Sequence, residues 1–120
     1  MHETAVAQSV LETILEQAVK LNARPVRAVI SCGQFNALND EAMRFAFGAA
    51  AEGTVCDTME LVIKHIPLRA RCDNCGRLFD FDIYAPACPE CQSEHFDFQA
   101  DAPLLLEEIE FENPNDEGGL

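Results

Sequence analysis

The chain is short of basic residues, of long apolar runs and of any internal repeat. Eight Lys and Arg stand against 21 Asp and Glu, a net charge of −13. The last basic residue is Arg77, and twelve carboxylates follow it before Leu120. A surface of this sign repels phosphate backbones, so nucleic acid is excluded as an expected partner. Basic protein patches or metal cations suit it better, and plain solubility is the alternative explanation. No run of 18 or more apolar residues occurs, so no membrane-spanning helix is expected. The N-terminus lacks the basic and apolar regions of a signal peptide, so the expected location is cytoplasmic.

What the chain does have is apolar content and cysteine. Hydrophobic residues make up 48% of 120 residues, enough for one compact domain with a small appended module. Six cysteines without an export signal argue against a disulfide scaffold. Four of them form two C-x-x-C units, Cys72/Cys75 and Cys88/Cys91. Cys32 and Cys56 stand alone and read as small buried apolar residues.

The hydrophobic pattern predicts a helix over residues 5–21, with Val6, Val10, Ile14, Ala18 and Leu21 on one stripe. Asn22 and Pro25 end it. Val26 to Cys32 is β-branched and reads as a strand. Asn39 is a good N-cap for a second helix over residues 40–51, with Met43, Phe47 and Ala50 as its core stripe. Met59 to Ile66 and Leu104 to Phe111 read as two further strands. The predicted fold is α+β: a three-stranded sheet with two helices, plus an inserted four-cysteine zinc ribbon. The α/β domain takes residues 1–68 and 102–112, the ribbon 69–101, and a polar acidic tail 113–120, expected to be disordered.

The cysteine spacing is C-x2-C-x12-C-x2-C. Each C-x-x-C turn brings two thiolates to one ion, and Gly76 permits the turn after the second ligand. Four thiolates close a tetrahedral shell, which suits structural zinc and leaves no position open for catalysis. A single iron fits the same shell, and CDNCG and CPECQ are similar to the knuckles of rubredoxin. Two long helices and a separate sheet are more than such an electron carrier needs. Alternation in LFDFDIY and HFDF predicts short ribbon strands.

The chain opens Met1-His2-Glu3. The Met1 amine, the His2 amide nitrogen and the His2 imidazole can chelate one ion in a plane, with the Glu3 amide as a fourth donor. Planar nitrogen sets favour Ni(II) or Cu(II). On spacing alone, a frayed terminus that happens to hold a histidine is the plainer reading. His65 and His95 likewise read as surface or packing residues. No nucleophile–base pair or phosphate loop is legible, so an enzyme is not expected.

These residues together resemble the hydrogenase nickel-incorporation family, the HypA/HybF metallochaperones. The likeness runs from Met1-His2-Glu3 and the helix after it, through Val26, Val29 and Gly33, Phe47, Gly53-Thr54 and Pro67, to C-x2-C-x12-C-P-x-C. It implies nickel held at Met1, His2 and Glu3, and zinc held at Cys72, Cys75, Cys88 and Cys91. It implies delivery of Ni(II) to the [NiFe]-hydrogenase large subunit, with a HypB-type GTPase as partner. Urease accessory proteins join the partners in members that serve urease. With the resemblance, nickel displaces the frayed terminus as the better reading of Met1 to Glu3. Two departures stand out. Gln92 replaces the glycine that commonly follows C-P-x-C, and QADAPLLLEEIEFE lacks the glycine common before the last strand. A zinc-ribbon interaction module without nickel remains the alternative function.

Overall fold

The computed structural model describes residues 2–112, so Met1 and the predicted tail lie outside the described residues. Two compact units emerge: one of residues 2–31, Leu38–Lys64 and 105–112, the other of Cys32–Ala37 and His65–Leu104.

The first unit is α/β. Helix α1 (Glu3–Leu21) starts two residues earlier than the apolar periodicity indicates, with His2 as its N-cap. Asn22 ends it in the left-handed region (φ 48°), and its N–H reaches back to the Ala18 and Val19 carbonyls. The buried stripe is Ala7, Val10, Leu11, Ile14 and Ala18. Leu21, expected on the stripe, is 58% exposed, and the buried stripe ends at Ala18. Strand β1 (Pro25–Cys32) is followed by α2 (Asp40–Ala51). Asn39 caps α2 as expected, its side chain accepting from the Ala42 N–H at 2.8 Å. Met43, Phe47 and Ala51 face the core, so the stripe is one residue displaced from Ala50. The two helices pack on each other, and α1 touches the last strand.

Strand β2 (Glu60–His65) and that last strand flank β1, which is why β1 is buried along most of its length. The β1 partner, called β6 (Leu105–Phe111), runs antiparallel with Ala28 opposite Ile109 and Ser31 opposite Leu105. The chain therefore leaves this sheet after β2 and returns to its centre strand through β6.

In the sequence between β2 and β6 comes the second sheet: β3 (Arg69–Cys72), β4 (Leu78–Asp80) and β5 (Phe96–Phe98), with β3 central. Alternation forecasts β4 and β5. It misses β3, whose buried residues, Ala70 and Cys72, are small and sit beside two exposed arginines. Phe79 and Cys88 complete the small core, with Cys91 and Phe96 against it. Phe79, Phe81, Phe96 and Phe98 meet mostly edge to face at 5.0–5.7 Å.

Candidate metal centre

The two cysteine turns are built alike. Cys72 and Cys88 accept, through their carbonyls, the N–H of Gly76 at 3.0 Å and of Gln92 at 2.8 Å. Their own N–H groups donate to the carbonyls of Arg77 and Ser93, both at 2.9 Å. The residue after each second cysteine takes a left-handed backbone: φ 78° at Gly76 and φ 61° at Gln92. Glycine adopts that conformation freely, whereas glutamine is strained in it. The missing glycine has therefore not altered the turn; Gln92 bends to it.

The turns bring all four sulfurs within 4.8 Å of one another. Cys72 Sγ lies 3.5 Å from Cys91 Sγ, and Cys75 Sγ 3.6 Å from Cys88 Sγ. A tetrahedral shell with zinc–sulfur bonds of about 2.3 Å needs sulfurs about 3.8 Å apart. The donor set and its spacing fit a four-thiolate metal. Nearby N–H groups complete the cradle. Asn74 and Cys75 amides point at Cys72 Sγ from 3.3 and 3.4 Å, and the Asn74 side-chain amide reaches Cys91 Sγ at 3.5 Å.

These donors split the thiols. The Asn74 side-chain amide and then the Ser93 backbone hold Cys91 down at about 6. At Cys75 the Arg77 backbone N–H lowers the pKa, but desolvation and three neighbouring thiols outweigh it and push it up to about 11. An arriving cation must therefore expel protons from the cluster before all four sulfurs bind it.

Among the described residues, these cysteines are the one group of three or more metal-ligating side chains drawn together. The other predicted ligands stand apart from them in sequence and character. Met1 lies outside the described residues. His2 is exposed, extended (φ −91°, ψ 120°), and receives the Val6 N–H on its carbonyl at 3.1 Å. Glu3 opens α1, and its carboxylate accepts the Asn39 N–H at 3.0 Å. That bond, above all, holds the Glu3 carboxyl below the usual carboxylate range.

Two arrangements escaped the sequence. Cys32 is more than a filler, since its sulfur lies 3.4 Å from His65 Nδ1. Asp101 accepts the N–H groups of Gln34 and Phe35 at 2.9 and 2.8 Å. A Cβ on Gly33 would run into that carboxylate and the Ala102 carbonyl, so glycine is required there. Neither pairing has a local signal, because each joins residues over 30 positions apart.

Residues 1–111 match the family described as hydrogenase/urease nickel incorporation, metallochaperone, hypA. The chain belongs to that HypA family. A hydrogenase maturation factor HypA of Desulfitobacterium hafniense is 34% identical over 113 residues, 93% of this chain and 99% of that one. One from Synechococcus elongatus is 32% identical over 111 residues, 92% of this chain and 98% of that one. The hydrogenase maturation factor HybF of Shigella boydii is 30% identical over 113 residues, 93% of this chain and all of that one. The fold is that of the solution structure of the Ni metallochaperone HypA from Helicobacter pylori. That likeness has a TM-score of 0.58 and 24% identity, covering 92% of this chain and 97% of the other. A second solution structure of a HypA protein gives a TM-score of 0.62 at the same identity, covering 92% and 96%.

The family is one of metallochaperones, not of catalysts: its members carry a metal ion during hydrogenase maturation. The match covers the α/β unit together with the ribbon, which a bare rubredoxin-type carrier would not require. No helix among the described residues is long and apolar enough to cross a membrane.

Proposed function

We propose that this chain carries Ni(II) on Met1, His2 and Glu3 and delivers it, in the cytoplasm, to the [NiFe]-hydrogenase large subunit. A HypB-type GTPase acts beside it. Zinc occupies Cys72, Cys75, Cys88 and Cys91 and holds the ribbon folded. The observation that carries this reading is the state of residues 2 and 3. They form the N-cap and first residue of a 19-residue helix, with Glu3 tied to Asn39, so both have a defined place in the fold.

The position explains how the ion can be held. The first N–H groups of a helix have no carbonyl to bond. The amides of His2 and Glu3 can therefore lose their protons to nickel without breaking the helix ladder. The Met1 amine and His2 imidazole complete a planar nitrogen set, the arrangement Ni(II) accepts and zinc does not prefer. The Glu3 carboxylate, fixed by Asn39, supplies negative charge beside the ion.

The position also explains release. The Glu3–Asn39 bond is exposed, so this end can let go of the ion by giving up that bond without disturbing the core. An acceptor offering thiolates then takes the ion. The family description names urease beside hydrogenase, and the same terminal site would serve urease accessory proteins equally.

The test is metal content on untagged protein. Wild type should hold one nickel at the terminus and one zinc at the cysteines. His2→Ala should lose tight nickel binding and keep its zinc and its circular dichroism. Unchanged nickel affinity in His2→Ala would leave the zinc-ribbon interaction module as the better reading.

A further inference from the structure

Ile83 and Tyr84 are 69% and 92% exposed in the ribbon, an exposure its packing does not explain. Both sit at the centre of a closed turn. The Tyr84 N–H donates to Asp82 Oδ1 at 2.9 Å, and the Ala85 N–H donates to the Asp82 carbonyl at 3.1 Å. Asp is a favoured first residue for such a turn, but its central positions ordinarily carry small or polar side chains. Here they hold an isoleucine and a tyrosine out to solvent.

The two ends of the turn, Asp82 and Ala85, line a groove of about 520 Å³. Pro86 and Ala87 extend its apolar lining, and Asp80 and Glu94 add carboxylates to that of Asp82. No Lys or Arg lines it. Of the three carboxylates, Asp80 pairs with Arg69 at 3.1 Å.

We propose that this turn and groove form a docking surface for a cationic, apolar-bearing segment of a partner protein. The apolar pair supplies anchors, tyrosine being among the residues that most often dominate an interface. The carboxylates select the sign of the partner and speed its approach. Charge decides between occupants. All eight Lys and Arg side chains of the chain already have a partner within it. Those pairs are mostly exposed and easily exchanged, but a second copy also brings its own net charge of −13, which repels it from an acidic face. Nucleic acid is repelled by the net charge of −13. The surface uses none of Met1, His2 or Glu3, so its success or failure is separate from that of the nickel reading.

The experiment uses the untagged full-length, metal-loaded protein and a fluorescein-labelled peptide of alternating lysine and leucine. Fluorescence anisotropy at physiological salt reads binding, with a glutamate–leucine peptide as the opposite-sign control. The lysine peptide should bind and the glutamate peptide should not. Ile83→Ser with Tyr84→Ser should weaken binding by about tenfold or more, the effect of losing an interface anchor. Glu94→Lys should weaken it well beyond Glu12→Lys, a control on exposed α1. Equal effects of the two lysine substitutions would reduce the binding to bulk charge and overturn the proposal. So would full binding by the double serine variant. Sedimentation at rising concentration covers the remaining occupant: a dimer abolished by the double serine variant would assign the surface to a second copy instead.

Discussion

Replacing Gln92 with glycine should make the metal centre tighter. Gln92 holds φ 61° in the second cysteine turn, where Gly76 holds φ 78° in the first. An L-residue in the left-handed region costs about 1–2 kcal/mol relative to its ordinary backbone. Glycine removes that strain but adds about 0.4–1 kcal/mol of unfolded-state entropy to be lost on folding. The difference leaves a gain of about 0.5–1 kcal/mol for Gln92→Gly. Gln92 is exposed, so truncating it removes no core packing. A ribbon this small folds together with its metal, so the gain should appear in metal affinity. At 1.4 kcal/mol per tenfold, it corresponds to zinc binding about two- to fivefold tighter. Chelator competition at fixed pH measures this directly. Gly76→Gln should move affinity the other way by a similar factor. Equal or weaker binding by Gln92→Gly, with unchanged circular dichroism, would refute the claim that the turn is strained.

Other consequences follow from the same contacts. Asn74→Ala removes the largest cause of the low Cys91 pKa, so metal-free protein should show that thiol alkylating only at higher pH than the wild-type value of about 6. Phe79, 5% exposed at the ribbon core, should cost about 3–5 kcal/mol on truncation to alanine. That loss should appear as release of the cysteine-bound metal, while the α1–α2 helical signal persists. Glu3 has a lowered folded pKa, so its bond to Asn39 contributes above the ordinary carboxylate range and is lost as pH falls through the lowered value. Glu3→Gln should flatten the acid limb of α1 stability, read by circular dichroism between neutral and strongly acidic pH. An unchanged acid limb would show that the bond carries no linkage.

The four-cysteine cluster was nearly all legible in the sequence, because C-x2-C-x12-C-x2-C confines its thiols to two short turns. The helix cap at Asn39 and the end of α1 at Asn22 were legible for the same reason: each depends on residues a few positions away. Small shifts of the helix stripes were not, since which face is buried depends on what lies opposite. Ala50 fits the apolar period of α2, yet it is Ala51 that is buried beside Met43 and Phe47. Strand β3 was hidden because its inward residues are small, leaving no large apolar side chain to announce the alternation.

The sequence by itself determined which four cysteines are drawn together, the order of helices and strands, and the acidic character of the surface. Those follow from local spacing, backbone preference and charge, none of which needs a fold. Only the tertiary structure decided that Glu3 is anchored by Asn39, that Asp101 clasps the loop after β1, and that Cys32 meets His65. Each of those contacts joins segments distant in the chain, and no local preference encodes a distance that folding alone closes. The same holds for the pair at Ile83 and Tyr84. The sequence placed them in the alternating run LFDFDIY, expected to form strand, and the structure turned them outward because Asp82 closes the turn beneath them.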